Sequence, residues 1–177
     1  MHHSSLDQLI PESAPDFGNP LGLLRACHGK ILQHCQLLVD LCTYLESHPP
    51  DEDARITCDK LYRYFSVSVI YHHQDEEQNL FPLLLSAPGL TQSITAVISK
   101  LKLEHYELDR LWLKFSPVLK DADLVTLAIL SDQARMLQLS YEQHIEQENA
   151  ILLPAAEKLL TSQQLQDLGQ QMKTRRH

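Results

Sequence analysis

The sequence predicts an all-α protein: an up-down-up-down four-helix bundle with an N-terminal arm and a short C-terminal helix. Three observations predict it. Apolar residues make up 44% of the 177-residue chain while glycine occurs only five times, a globular composition without the turn density of an all-β protein. Four long stretches repeat their apolar residues at helical spacing, and no run of alternating β-branched residues competes with them. Each stretch is bounded by proline, aspartate or other capping residues. A chain of this length is expected to form one domain around one core.

Residues 1–19 read as a polar arm with Pro and Ser and no helical period, and its His2 and His3 are poor ligand candidates. Asn19-Pro20 offers an N-cap and a proline at the first helical position. The first helix then runs to about Ser47 with Leu24, His28, Ile31, Cys35, Leu38 and Cys42 on one face, while His34 is out of phase and expected in solvent. His48-Pro49-Pro50 breaks it, and Asp51-Glu52-Asp53 caps a second helix reaching about Leu85. The predicted inner face of that helix is Leu61, Phe65, Val69, His72, Glu76, Leu80 and Leu83.

Ala87-Pro88-Gly89 is a turn, and Thr91 caps a third helix that aligns Leu101, His105, Leu108 and Trp112. Pro117 and Asp121-Ala122-Asp123 are expected to mark the next break, with part of 122–130 a crossover or extra turn. The fourth helix aligns Leu137, Tyr141, His144, Glu148, Ile151 and Leu152, and Thr161-Ser162-Gln163-Gln164 resembles a capping box for a final helix across the bundle end. The expected organisation is thus an arm (1–19), a bundle (20–160) and a short helix with a basic tail (161–177).

The chemistry-bearing residues repeat. His72 and Glu76 are four apart, which on a helix places them on one face about 6 Å apart along the axis. His144 and Glu148 have the same spacing, and Pro82 and Pro154 each follow the glutamate by six residues. Adding Leu24/His28 and Leu101/His105 turns the two halves into one pattern: Leu-x3-His, a turn, then His-x3-Glu-x5-Pro. Two such hairpins would direct four imidazoles and two carboxylates at one another. His73/Glu77 shares the four-residue spacing but lies further from the Phe65/Val69/Leu80 stripe, so His72/Glu76 is the preferred register.

Any one histidine on an apolar face reads most simply as a hydrogen-bonded core residue. Six ionisable groups turned inward together would be costly to bury without a cation. Nitrogen and carboxylate donors without thiolates suit iron, manganese or zinc. The Glu-x-x-His signature of ferritin-like sites and the HExxH motif are both absent.

A formal charge of −8 argues against nucleic acid or an anionic membrane as the main partner. No apolar run approaches the ~18 residues of a membrane span, and no basic-then-apolar leader opens the chain, so a cytoplasmic location is expected. Cys27, Cys35, Cys42 and Cys58 show no CxxC or zinc-ligand spacing and read as small hydrophobes in a reducing compartment.

The arrangement resembles the hemerythrin-like, HHE cation-binding family over residues 20–160. The resemblance is carried by His28, His72-His73-x-x-Glu76-Glu77-x-x-Leu80-Phe81-Pro82, Glu104-His105, and His144-x-x-x-Glu148 with Leu153-Pro154. It implies a non-haem di-iron centre in a four-helix bundle: His28, His72, His105 and His144 as terminal ligands, Glu76 and Glu148 as bridges, and an oxo or hydroxo group joining the irons. Oxygen-carrying members add a fifth histidine four residues along the third helix, where this chain has Asp109. They also end the fourth-helix pair with Asp one position later than Glu148. Both departures speak against reversible oxygen carriage.

Trp112 and Tyr141 can line a pocket or serve as core, and Asp75, Glu77 and Glu104 are candidate partners for the histidine N–H groups. The expected function is binding or sensing of oxygen or a related small oxidant, or holding of iron. The alternatives are an enzyme acting on peroxide or nitric oxide, and iron delivery to or repair of iron-sulfur centres.

Overall fold

A computed structural model of the chain describes residues 16–176, and these are helical apart from short connections, with no strand among them. Most of the expected N-terminal arm, with His2 and His3, and the terminal His177 fall outside the described residues. Helix α1 is Pro20–Ser47. Helix α2 spans 52–85 and is built from three α segments, Glu52–Arg63, Ile70–Asp75 and Phe81–Leu85, joined by wider π turns at Tyr64–Val69 and Glu76–Leu80. Helix α3 is Gln92–Lys120 and α4 is Leu124–Ala128. Helix α5 spans 131–159 with a π turn at Glu148–Leu152, and α6 is Ser162–Arg175.

Local chemistry sets the ends. Asn19 Oδ1 accepts from the Gly22 N–H at 3.0 Å, and Asp51 Oδ1 accepts from Ala54 N–H at 2.8 Å. Thr91 and Asp123 cap α3 and α4 in the same way, and Thr161 with Gln164 forms a reciprocal capping box at α6. Gly89 turns the chain between α2 and α3 at φ 86°, a backbone region that favours glycine. No helix among the described residues is long and apolar enough to cross a membrane.

One expectation about the breaks needs correction. Pro117 does not end α3, which continues to Lys120. A proline forfeits one backbone bond to the carbonyl four residues earlier, and here that is the carbonyl of Leu113, a residue 67% exposed, where water can take its place. The break at Asp121–Asp123 is where it was expected, and the extra turn expected within 122–130 is the short helix α4, capped by Asp123 and packed on α1 and α3.

The π turns shift the buried face by one residue. Leu84 rather than Leu83 is fully buried near the end of α2, and Leu153 is buried where Ile151 is 42% exposed. The π turns at Glu76–Leu80 and Glu148–Leu152 each hold an i→i−5 bond from the residue before the proline back to the site glutamate: Phe81 N–H to the Glu76 carbonyl, and Leu153 N–H to the Glu148 carbonyl. One extra residue per turn carries every later side chain around the axis. His34, expected in solvent, is half-buried with its ring stacked 3.5 Å from that of Tyr64.

The core divides into two apolar clusters. One joins Leu38 and Cys42 of α1, Leu61 and Phe65 of α2, Phe115 of α3 and Leu137 of α5. The other joins Leu24, Leu84, Leu101 and Leu152 from the same four helices with Met172 of α6. Along α1 and α3 the second cluster comes first; along α2 and α5 the order reverses. His28, His72, Glu76, His105 and Glu148 fall in sequence between the two clusters' contributions to their helices, and His144 lies between Tyr141 and Ile145, the last residues that α5 gives the first cluster. Trp112 packs against the first cluster with its ring 4.9 Å from Phe65, and Tyr141 is buried within it.

Helix α6 does more than cross an end. Gly169 meets the backbone of Phe17, and Arg175 and Arg176 both ion-pair with Asp75, whose side chain has no solvent exposure. Arg175 and Arg176 are therefore engaged with α2 rather than free.

Candidate metal centre

Four helices each bring one imidazole to the layer between the clusters, and α2 and α5 each add a carboxylate. His28, His72, His105 and His144 are 1–2% exposed, and Glu76 and Glu148 are fully buried. The sequence-predicted set is therefore brought together in full. Glu77 stands outside this layer, its side chain 41% exposed, and Asp109 is further out at 65%.

The carboxylates divide the imidazoles into two pairs. Glu76 Oε1 lies 3.6 Å from His28 Nε2 and 3.4 Å from His72 Nε2, while its Oε2 lies 3.4 Å from His105 Nε2. Glu148 Oε2 lies 3.1 Å from His28 Nε2, and its Oε1 lies 3.0 Å from His144 Nε2 and 3.8 Å from His105 Nε2. Each carboxylate thus gives one oxygen to each imidazole pair. Two groupings result, His28/His72/Glu76/Glu148 and Glu76/His105/His144/Glu148, each with four donor atoms within 4.8 Å of one another.

This geometry fits metal better than a closed hydrogen-bond network. None of the four carboxylate oxygens, nor His28 Nε2, makes a hydrogen bond, although imidazole nitrogens stand close by. Buried polar atoms left this way are rare and expensive. His105 Nε2 and His144 Nε2 lie 3.0 Å apart; nitrogens bound at about 2.1 Å to one ion would sit about 3.0–3.4 Å apart. A cation in each grouping satisfies every one of these lone pairs.

Electrostatics point the same way. Burial opposes charge on an imidazole, but the Glu148 and Glu76 carboxylates outweigh it and push His28 up to about 10. The same two acids, joined by Glu77, push His105 up to about 11, and Glu148 raises His144. His72 goes the other way, lowered by burial that Glu76 only partly offsets. Burial and the neighbouring Glu148 would raise Glu76, yet His72, His105 and His28 hold it down to about 2. Glu148 is likewise held well below the usual carboxylate range. Without a metal, protons do the work of the missing positive charge.

Three of the four histidines are oriented from outside. His105 Nδ1 donates to Glu77 Oε1 at 2.7 Å, and His144 Nδ1 to Glu104 Oε2 at 3.0 Å. His28 Nδ1 reaches Asn149 Oδ1 at 2.8 Å. A carboxylate or amide here fixes the tautomer that leaves Nε2 free to bind a cation. Glu77 and Glu104 were legible as candidates; Asn149 was not, because an amide beside a glutamate carries no spacing signal. Asp75, the third candidate, is taken by the arginines of α6. His72 Nδ1 has no partner, and its ring borders a cavity of about 450 Å³ lined also by Cys27, Tyr64, Tyr71 and Arg176.

The four cysteines are free thiols. Burial pushes Cys35, Cys42 and Cys58 up, the last two to about 12 and about 11, so none is poised as a thiolate ligand.

Comparison with known proteins agrees with this geometry. A family model described as Hemerythrin HHE cation binding domain matches residues 19–156, a span that holds all six residues. A protein of Haemophilus influenzae (strain Rd), described only as uncharacterized, is 28% identical over 177 residues, covering 95% of this chain and 96% of its own length.

Proposed function

Since the chain belongs to the hemerythrin HHE cation-binding domain family, we propose that it holds two iron ions and uses them to bind or sense oxygen or a related small oxidant, or to hold iron. His28 and His72 would hold one ion, His105 and His144 the other, and Glu76 and Glu148 would each offer one oxygen to either ion. The observation that carries this reading is the split of each carboxylate, one oxygen to each imidazole pair. Iron is favoured by the nitrogen-and-oxygen donor set, which manganese or zinc can also use. The reading takes the four long helices as an up-down-up-down bundle, supported by the alternating order of the two core clusters along them.

When bound, a pair of iron ions supplies redox chemistry and coordination positions open to a small molecule. The chain's part is to hold and orient. Glu77, Glu104 and Asn149 keep three imidazoles in the binding tautomer, and the flanking clusters exclude bulk water. Oxygen, peroxide or nitric oxide are ligands of a size the site can take, and four free thiols support a reducing, cytoplasmic setting.

The cavity beside His72 favours a second reading, an enzyme that reduces peroxide or nitric oxide, since it offers a small substrate a route inward. Binding of oxygen by iron-loaded protein without net turnover supports the first reading. Sustained peroxide or nitric oxide consumption, lost in Glu148→Ala, replaces it with the second.

A further inference from the structure

His72 differs from the other three imidazoles of the site. Each of those is held from outside, by Glu77, Glu104 or Asn149. His72 Nδ1 has no hydrogen-bond partner, although the residue is only 2% exposed. Its Nε2 lies 3.4 Å from Glu76 Oε1. The two nitrogens of an imidazole point in nearly opposite directions, so Nδ1 is turned away from the carboxylates. On that side the ring borders the cavity of about 450 Å³ enclosed by α1, α2 and the end of α6.

The lining of that cavity has one chemical character. Lys30 and Arg176 bring positive charge, and no acidic side chain lines it, in a chain of formal charge −8. Arg176 is fixed in place: Nη1 donates to the Met172 carbonyl at 2.7 Å and Nη2 to Asp75 Oδ2 at 2.6 Å. Its guanidinium carbon lies 5.9 Å from the centre of the Phe17 ring and 5.8 Å from that of Tyr71. Asp75 also pairs with Arg175, so two guanidinium groups face one carboxylate and one positive charge is left over. With a cation on Nε2, the proton of His72 must sit on Nδ1, which makes that nitrogen a donor. Leu23, Ile31 and Tyr64 supply apolar and aromatic wall. Apolar walls with a few convergent donors and cations suit a small organic anion.

We propose that this cavity binds a small monocarboxylate with an apolar body, whose carboxylate accepts from His72 Nδ1 while Arg176 and Lys30 supply the countercharge. The bound anion provides the outer partner that the chain itself gives the other three histidines, and it does not ligate the metal. Its coupling to the centre rests on the two-metal reading above. Two buried glutamates repel another anion nearby, whereas two divalent cations leave the same layer net positive. Carboxylate and metal therefore each tighten the other, by the same factor.

Benzoate is the probe, since its flat ring suits walls built from Phe17, Tyr64 and Tyr71. Calorimetry follows its binding to full-length protein, both metal-free and loaded with two equivalents of zinc, with benzyl alcohol as the uncharged counterpart. The expected result is saturable binding of one benzoate, about 10-fold or more tighter with zinc. Arg176→Gln and Lys30→Gln each weaken it about 10-fold, and benzyl alcohol binds more weakly than benzoate. Lys30 is exposed, so Lys30→Gln keeps the comparison if Arg176→Gln does not fold. In zinc-loaded protein labelled with 15N-histidine, benzoate shifts the His72 Nδ1–H resonance. No binding, equal affinity in wild type and variants, or an unmoved His72 resonance overturns the carboxylate site and leaves the two-metal reading standing. Failure to take up zinc overturns the two-metal reading, and the variant series in metal-free protein still decides the site.

Discussion

Replacing Glu148 by glutamine keeps the side chain's volume and removes the charge that three imidazoles face. In the metal-free protein those imidazoles stand at 3.0 Å (His144), 3.1 Å (His28) and 3.8 Å (His105) from its oxygens. Removing one partner of a buried charged cluster costs about 3–5 kcal/mol while the remaining charges stay buried. For a chain of this size that is roughly a 6–20 °C fall in Tm.

The sign depends on pH. Imidazoles whose folded pKa is raised lend stability that is complete below their unfolded value of 6.5 and fades as pH rises through about 10 for His28 and about 11 for His105. The Glu148→Gln penalty in metal-free protein is therefore largest at pH 6, where Glu148 is ionised in the wild type, and shrinks steadily toward pH 10. Thermal unfolding of chelator-treated wild type and variant across that range measures it. In parallel, the variant should bind at most one metal ion per chain tightly. A penalty independent of pH together with unchanged two-ion stoichiometry would refute the assignment of Glu148 as the acid shared by both imidazole pairs.

Removing an outer partner should weaken metal without unfolding the protein: Glu77→Ala and Glu104→Ala lower affinity about 10–100-fold by competition with a chelator, and the glutamine variants, which keep an acceptor, lose less. The Asp75 ion pairs should be asymmetric. Arg175→Ala/Arg176→Ala leaves a fully buried carboxylate unpaired and costs about 3–5 kcal/mol in denaturant unfolding, whereas Asp75→Asn costs less because the partly exposed guanidinium groups can turn to water; the reverse order would overturn this account of α6. Gly169→Ala places a Cβ 1.9 Å from the Phe17 carbonyl oxygen and should lower stability by about 1–3 kcal/mol while leaving metal content unchanged.

Much of this was written in the sequence because the helices and the candidate site share one period. Helix ends came from Asn19-Pro20, Asp51 and Thr91, whose side chains cap as their types require. The six inward residues came from a motif repeated in both halves. What escaped has a common cause: sequence periodicity assumes 3.6 residues per turn. The π turns at Glu76–Leu80 and Glu148–Leu152 add a residue, so Leu84 and Leu153 are buried where Leu83 and Ile151 were expected. His34 escaped for another reason, since stacking on Tyr64 is a contact between helices that one helix's phase does not contain. The partners of Asp75 lie 100 and 101 positions away on α6, and no local pattern joins residues at that distance.

The central claim is that the inward imidazoles and acids hold a pair of iron ions. It is met most directly by metal analysis of protein purified from its native host, paired with absorption spectra of the reduced and air-exposed samples. Two irons per chain, with a ferric charge-transfer band that grows in on exposure to air, is the predicted result. Fewer than one metal ion per chain, or zinc with a spectrum indifferent to air, would contradict it.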